Sequence, residues 1–113
     1  MSNHHRINYI ELPAADLPAV KAFYQAAFGW KFTDYGPEYA AFNDGALDGG
    51  FTAGKVAKAA GPLVILYSKD LEASLEGVTR AGGKIVKPIY SFPGGRRFHF
   101  TDPAGNELAV WSE

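Results

Sequence analysis

The residues of this 113-residue chain that could do acid–base or nucleophilic chemistry narrow, by their types, what that chemistry could be. With no cysteine, the chain has no thiol nucleophile, thiolate metal centre or disulfide framework. Three histidines are present, and only His99 lies outside the first five residues. It stands in the run GRRFHFT, where strand alternation puts Arg97, His99 and Thr101 on one face. The same rule groups Glu107, Ala109 and Trp111 in NELAVWS, and Tyr9 with Glu11 in INYIELP. A histidine titrating near neutrality beside a carboxylate is what general acid–base work requires. Ordinary readings stand next to that one. A lone strand histidine is commonly structural, Glu11 and Arg97 could form a plain ion pair, and the aromatics could simply pack in a core or a dimer interface. His4 and His5 read as a mobile terminus able to pick up stray metal.

The elements that must position these residues can be read from periodicity. INYIELP alternates as a half-buried strand, with Ile10 and Leu12 on one face, and Pro13 is expected to end it. Asp16 is placed as an N-cap, and Leu17, Val20, Phe23, Tyr24, Ala27 and Phe28 follow at helical spacing up to Gly29. WKFTDY, EYAAFND and DGGFTAG then read as three short strands separated by turn residues. From residue 62 the order recurs: PLVILYS as a strand, Asp70 as N-cap, and a helix with Leu71, Leu75 and Val78 on one face that ends at Gly82-Gly83. GKIVKPIYS, GRRFHFT and NELAVWS close the second half. An offset of 54 residues superposes Ile10 on Val64, Leu12 on Leu66, Asp16 on Asp70 and Gly29 on Gly83. The register later gains four, so that FND meets FTD. The matched positions share physical jobs, which marks an internal duplication.

The expected fold is therefore α+β, a single domain of two βαβββ modules, at about residues 6–55 and 62–113. Neither module is large enough to close a core alone. Their strands are expected to form a cup-shaped mixed sheet, within one chain or between two, with helices outside and a concave ligand-binding face inside. Composition agrees with a globular protein, at 47% hydrophobic and 20% charged residues. The net charge of −1 gives no basic patch beyond Arg96-Arg97, so nucleic acid is not an expected partner. The start MSNHHRINYIEL carries no leader, and no apolar run approaches a bilayer span, so no membrane is expected and the location is read as cytoplasmic.

The run from Asp16 to Trp30, D-L-x-x-x-x-x-F-Y-x-x-x-F-G-W, and the D-P-x-G-N turn from Asp102 to Asn106 together resemble the vicinal oxygen chelate superfamily. That group contains glyoxalase I, extradiol dioxygenases and bleomycin resistance proteins, and the resemblance covers essentially the whole chain. It implies a divalent metal held by His or Glu/Gln side chains from the first and last strands of each half. Carried over, those positions fall on Tyr9, on Leu63 or Val64, near Phe51 and on Ala109. None is an imidazole or a carboxylate, so neither a metal nor another cofactor is expected. Moving the alignment by two brings in Glu11 or Glu107 but no histidine.

The resemblance further places His99 in the pocket. The implied lining is then Tyr9, Glu11, Phe51, Arg97, His99, Ala109 and Trp111, with aromatics of YGPEYAAF at its rim. Two functions follow. One is a glyoxalase-like enzyme, lyase- or isomerase-like, that acts on a small molecule without the usual metal, with His99 or Glu11 as the catalytic proton carrier. The other is a non-catalytic protein of the bleomycin-resistance type that sequesters an aromatic ligand. A homodimer is expected in either case, since two Trp, six Tyr and eight Phe exceed what so small a core hides.

Overall fold

A computed structural model describes residues 3–53 and 61–113. It has the α+β architecture of two βαβββ modules. The expected end of the first module, near residue 55, lies outside the described residues. Contacts divide the chain into a first unit, Tyr9–Leu63, and a second unit, Met1–Asn8 with Val64–Glu113.

β1 (Ile7–Ala14), which enters the first unit at Tyr9, leads to α1 (Leu17–Phe28) and then to β2 (Lys31–Asp34), β3 (Tyr39–Asn43) and β4 (Asp48–Ala53). The strand order is β2-β3-β4-β1, with β1 parallel to β4 and the other neighbours antiparallel. Asp16 caps α1 by accepting a hydrogen bond from Ala19 N at 3.1 Å, and Gly29 ends it at φ 70°. Pro13 does not end β1 as expected, because the ladder to β4 continues through Pro13↔Thr52 to Ala14↔Ala53. Leu17, Val20 and Tyr24 pack on Ala40, Phe42 and Phe51. Phe23 and Phe28 were expected on this buried face but stand 58% and 65% exposed. Phe23 sits about 100° around the axis from Tyr24, which already turns inward.

The second unit repeats the plan with β5 (Leu63–Tyr67), α2 (Leu71–Arg80), β6 (Lys84–Phe92), β7 (Gly95–Thr101) and β8 (Glu107–Ser112). Its order is β5-β8-β7-β6, with β5 parallel to β8. Asp70 caps α2 through Ala73 N at 3.1 Å, and Gly82 at φ 106° turns the chain after it. Leu71, Leu75 and Val78 cover Phe98, Val110 and Ile85, each fully buried large side chain contributing roughly 1.5–3 kcal/mol. Arg96 and Arg97 point to opposite faces, as alternation requires. Arg96 forms a two-bond pair with Glu72 of α2 at 2.6 and 3.2 Å, so the dibasic pair makes no patch.

His4 and His5 are not a loose terminus. His4 bridges to Tyr67, His5 N donates to Tyr67 O at 2.6 Å, and Tyr67 N donates to Arg6 O at 2.9 Å. Lys69 N donates to His4 Nδ1 at 3.1 Å, and His5 Nε2 meets Ser74 Oγ at 3.0 Å. These bonds seat the segment beside β5. Among the described residues, no helix is long and apolar enough to cross a membrane.

Candidate functional site

The face of the second unit's strands turned away from α2 carries most of the chemistry. In the antiparallel β7–β8 ladder Arg97 is opposite Trp111, His99 opposite Ala109 and Thr101 opposite Glu107, so the sequence grouping of these six residues holds. On β6, Lys87 pairs with His99 and Tyr90 with Arg97, on either side of a register shift. Such bulges re-aim side chains, and this one brings Tyr90 over the site.

The result is a continuous hydrogen-bonded run. Arg97 Nε donates to Tyr90 Oη at 2.5 Å, Tyr90 Oη meets His99 Nε2 at 3.0 Å, and His99 Nδ1 meets Glu107 Oε2 at 2.9 Å. A carboxylate can only accept, so Nδ1 carries the proton and Nε2 is the acceptor for the Tyr90 hydroxyl. The hydroxyl oxygen in turn accepts from Arg97, and every proton in the run has a place. Burial is the main cause of a lowered His99 pKa, helped by the Arg97 and Lys87 charges and opposed by the bond to Glu107. The lowered pKa favours the neutral imidazole that this bonding pattern describes, and His99 is only 4% exposed beneath its bond to Tyr90.

Ala109 was expected to line open space. It is 0% exposed, held between Ile65 and His99 in register, so it is a packing residue that leaves room for the imidazole. Trp111 donates its indole Nε1 to Asn8 Oδ1 at 3.0 Å and meets Tyr67 edge-on at 5.2 Å. These two rings, with Asn3, Asn8, Lys69 and Glu113, line a cavity of about 350 Å³ in the second unit.

The first unit holds a separate polar group. Tyr9 and Glu11 share the face away from α1, as alternation indicates, together with Tyr39 and Gly50. The Tyr9 and Tyr39 hydroxyls meet at 2.5 Å, and Tyr39 donates to Glu11 Oε2 at 3.2 Å. Burial, and then the bond to Tyr9, push the Tyr39 pKa far upward, so it remains a protonated donor. Phe51 does not belong to this face. It is 3% exposed on the side covered by α1, against Tyr24 and Phe42, so its assignment to the ligand lining is corrected.

The physical reason for that error is one residue of loop. Asp44–Leu47 joins β3 to β4 with four residues, whereas Asp102–Asn106 joins β7 to β8 with five. Glu11 pairs with Gly50 as Ile65 pairs with Ala109, so the first-half counterpart of Ala109 is Gly50. The same ladders choose Leu63 over Val64 as the counterpart of Tyr9, because Val64 faces the helix side with Leu108. Of the residues read from sequence, His99, Arg97, Ala109 and Trp111 come together. Glu11 is partnered by Tyr39, and the carboxylate on His99 is Glu107. Tyr90 was missed in the sequence, where Pro88 within its strand was the available sign of an irregular ladder.

With this geometry in hand, comparison with known proteins identifies the class. The model of the Glyoxalase/Bleomycin resistance protein/Dioxygenase superfamily matches residues 6–110, and the chain belongs to that superfamily. A glyoxylase-like domain-containing protein of Didymella fabae is 32% identical over 124 residues, covering 95% of this chain and 93% of that protein. A superfamily member from Vibrio splendidus 12B01 superposes with a TM-score of 0.74 at 15% identity, covering 96% of this chain and 99% of that one. The Mn(II)-bound glyoxalase of Novosphingobium aromaticivorans superposes with a TM-score of 0.70 at 22% identity, covering 99% of this chain and 40% of that one.

The donor chemistry does not fit the metal that the resemblance implies. Leu63, Gly50 and Ala109 offer no side-chain donor, and the Tyr9 hydroxyl is engaged with Tyr39. Among the described residues no group of three or more His, Asp or Glu could hold a metal ion.

Proposed function

We propose that the chain is a glyoxalase-like enzyme that moves a proton on a small carbonyl or carboxylate compound, using Tyr90, His99 and Glu107 rather than a metal. The observation that carries this reading is the unbroken run Arg97–Tyr90–His99–Glu107. As a substrate C–H proton passes to the Tyr90 oxygen, the phenolic proton passes to His99 Nε2. The products are a substrate carbanion or enolate, a neutral tyrosine and an imidazolium held by Glu107. Arg97, beside the Tyr90 oxygen, offers its cation to the charge that develops. The reverse transfer reprotonates the substrate. Positioned acid–base groups of this kind contribute roughly 10²–10⁴-fold.

The test is deuterium exchange into pyruvate, 2-oxobutyrate and dihydroxyacetone in D₂O, followed by proton NMR, with protein dialysed against EDTA. Exchange that falls about 100-fold or more in His99→Gln and Tyr90→Phe supports the reading. Exchange that survives both changes, or that requires an added divalent metal, overturns it. A second reading, ligand sequestration without turnover, is supported by the cavity beside Tyr67 and Trp111, and it takes precedence if no compound exchanges.

A further inference from the structure

The cavity in the second unit has a chemical signature of its own. Its lining combines one cation, one anion, two primary amides and two aromatic rings: Lys69, Glu113, Asn3, Asn8, Tyr67 and Trp111. It is an open depression rather than an enclosed chamber, with a volume of about 350 Å³. Trp111 is fixed by its indole bond to Asn8, and Tyr67 by its hydroxyl bond to Glu113. The two rings meet at 71°, an apolar corner rather than a flat platform. The bond to Trp111 uses the Asn8 oxygen and leaves its amide N–H groups to donate. Among the described residues, Lys69 and Glu113 form no ion pair with each other, although both charges line one small space.

We propose that this cavity binds a free α-amino acid with an aromatic or large apolar side chain. The Lys69 ammonium and the amides of Asn3 and Asn8 take the carboxylate, Glu113 takes the ammonium, and the Tyr67–Trp111 corner takes the side chain. Charge decides between this ligand and simpler ones. A plain carboxylic acid would meet Lys69 but set its anion near Glu113, while a plain amine would meet Glu113 and set its cation near Lys69. Like charges brought together in an interface disfavour either half-ligand. A zwitterion satisfies both ends at once. The inference goes beyond the proton-transfer reading and stands without it, since the ligand's contacts involve neither His99 nor Tyr90.

The experiment is a titration of the full chain with L-phenylalanine, phenylacetate and 2-phenylethylamine, read at the Trp111 indole N–H in ¹H–¹⁵N spectra. Trp111→Phe separates that resonance from the one of Trp30. L-phenylalanine should shift it saturably, and each half-ligand should bind about tenfold or more weakly. Lys69→Met and Glu113→Gln, both at exposed positions, should each weaken L-phenylalanine by about tenfold or more. His99→Gln should retain the affinity, so loss of the relay and loss of the cavity are read separately. The proposal is overturned if L-phenylalanine gives no saturable shift, if phenylacetate binds as tightly, or if both charge variants bind like the parent.

Discussion

Gly50→Ala tests the arrangement of the first unit most directly, because the geometry sets its size. A Cβ built on Gly50 would lie 1.9 Å from the Tyr39 hydroxyl oxygen, 2.3 Å from Tyr39 Cζ and 2.6 Å from the Tyr9 hydroxyl oxygen. Ordinary contact begins near 3.4 Å, so the tip of the Tyr39 ring must retreat by more than an ångström. That retreat breaks its bonds to Tyr9 and Glu11, each contributing about 0.5–1.5 kcal/mol. Overpacking adds about 1–3 kcal/mol. The stiffer unfolded chain of an alanine variant returns about 0.4–1 kcal/mol. The net loss is about 1–5 kcal/mol, toward the lower end if the tyrosine tips yield easily, and is measurable as a lower midpoint in urea unfolding at unchanged slope. The control is Tyr39→Ala, which removes the nearer of the two colliding rings and leaves only the tip of Tyr9 to shift. In that background Gly50→Ala should cost about 1 kcal/mol or less, a coupling that a double-mutant cycle isolates. Equal cost in both backgrounds would refute the idea that Tyr39 is what Gly50 makes room for.

Three further outcomes are expected. Because the His99 pKa is lowered on folding, the unfolded chain binds the extra proton first, so the contribution of His99 is complete above about pH 6.5 and falls as pH drops below it, by up to about 1.4 kcal/mol per unit; His99→Gln should reduce the slope of urea midpoints measured between pH 5 and 7, leaving the smaller part from His4, whose pKa is also lowered. Ala109→Glu places a carboxylate in a fully buried position and should cost several kcal/mol or force uptake of a proton, and calorimetry should find no stoichiometric Mn(II), Ni(II) or Zn(II), since both nitrogens of the neighbouring His99 are engaged. The homodimer is proposed on the exposure of Phe23 and Phe28, whose rings meet edge-on at 6.4 Å; sedimentation at tens of micromolar should give twice the chain mass, and a monomer there would count against it.

What could be read in the sequence follows from which interactions are local. Asp16 and Asp70 announce their helices because each cap bonds a backbone N–H three residues away, and Gly29 and Gly82 announce the ends because their φ angles favour glycine. Alternation correctly grouped Arg97, His99, Glu107, Ala109 and Trp111, since β7 and β8 pair without interruption. It could not supply the partners of His99, because the Tyr90 contact depends on register shifts in β6 and the Glu107 contact runs diagonally across the ladder. Phe51 failed for a related reason. A one-residue difference between two loops moves a strand's whole side-chain set to the other face.

That single residue also changes what the departure from the metalloenzyme pattern means. Had Phe51 faced the Tyr9 side, the first half would present a bulky apolar wall in place of a ligand. With Gly50 there instead, the position offers no side chain at all, and the space above it is taken by the Tyr9 and Tyr39 hydroxyls. The second half departs differently. Ala109 supplies no donor, but its small size leaves room for the His99 ring opposite, and the carboxylate that does act on this face stands two residues earlier, at Glu107. A polar cluster is thus built in each half from residues offset from the ligand positions. A donor placed at Ala109 would disturb the His99 run within the second half, and the first half taken by itself still has two tyrosines over a glycine.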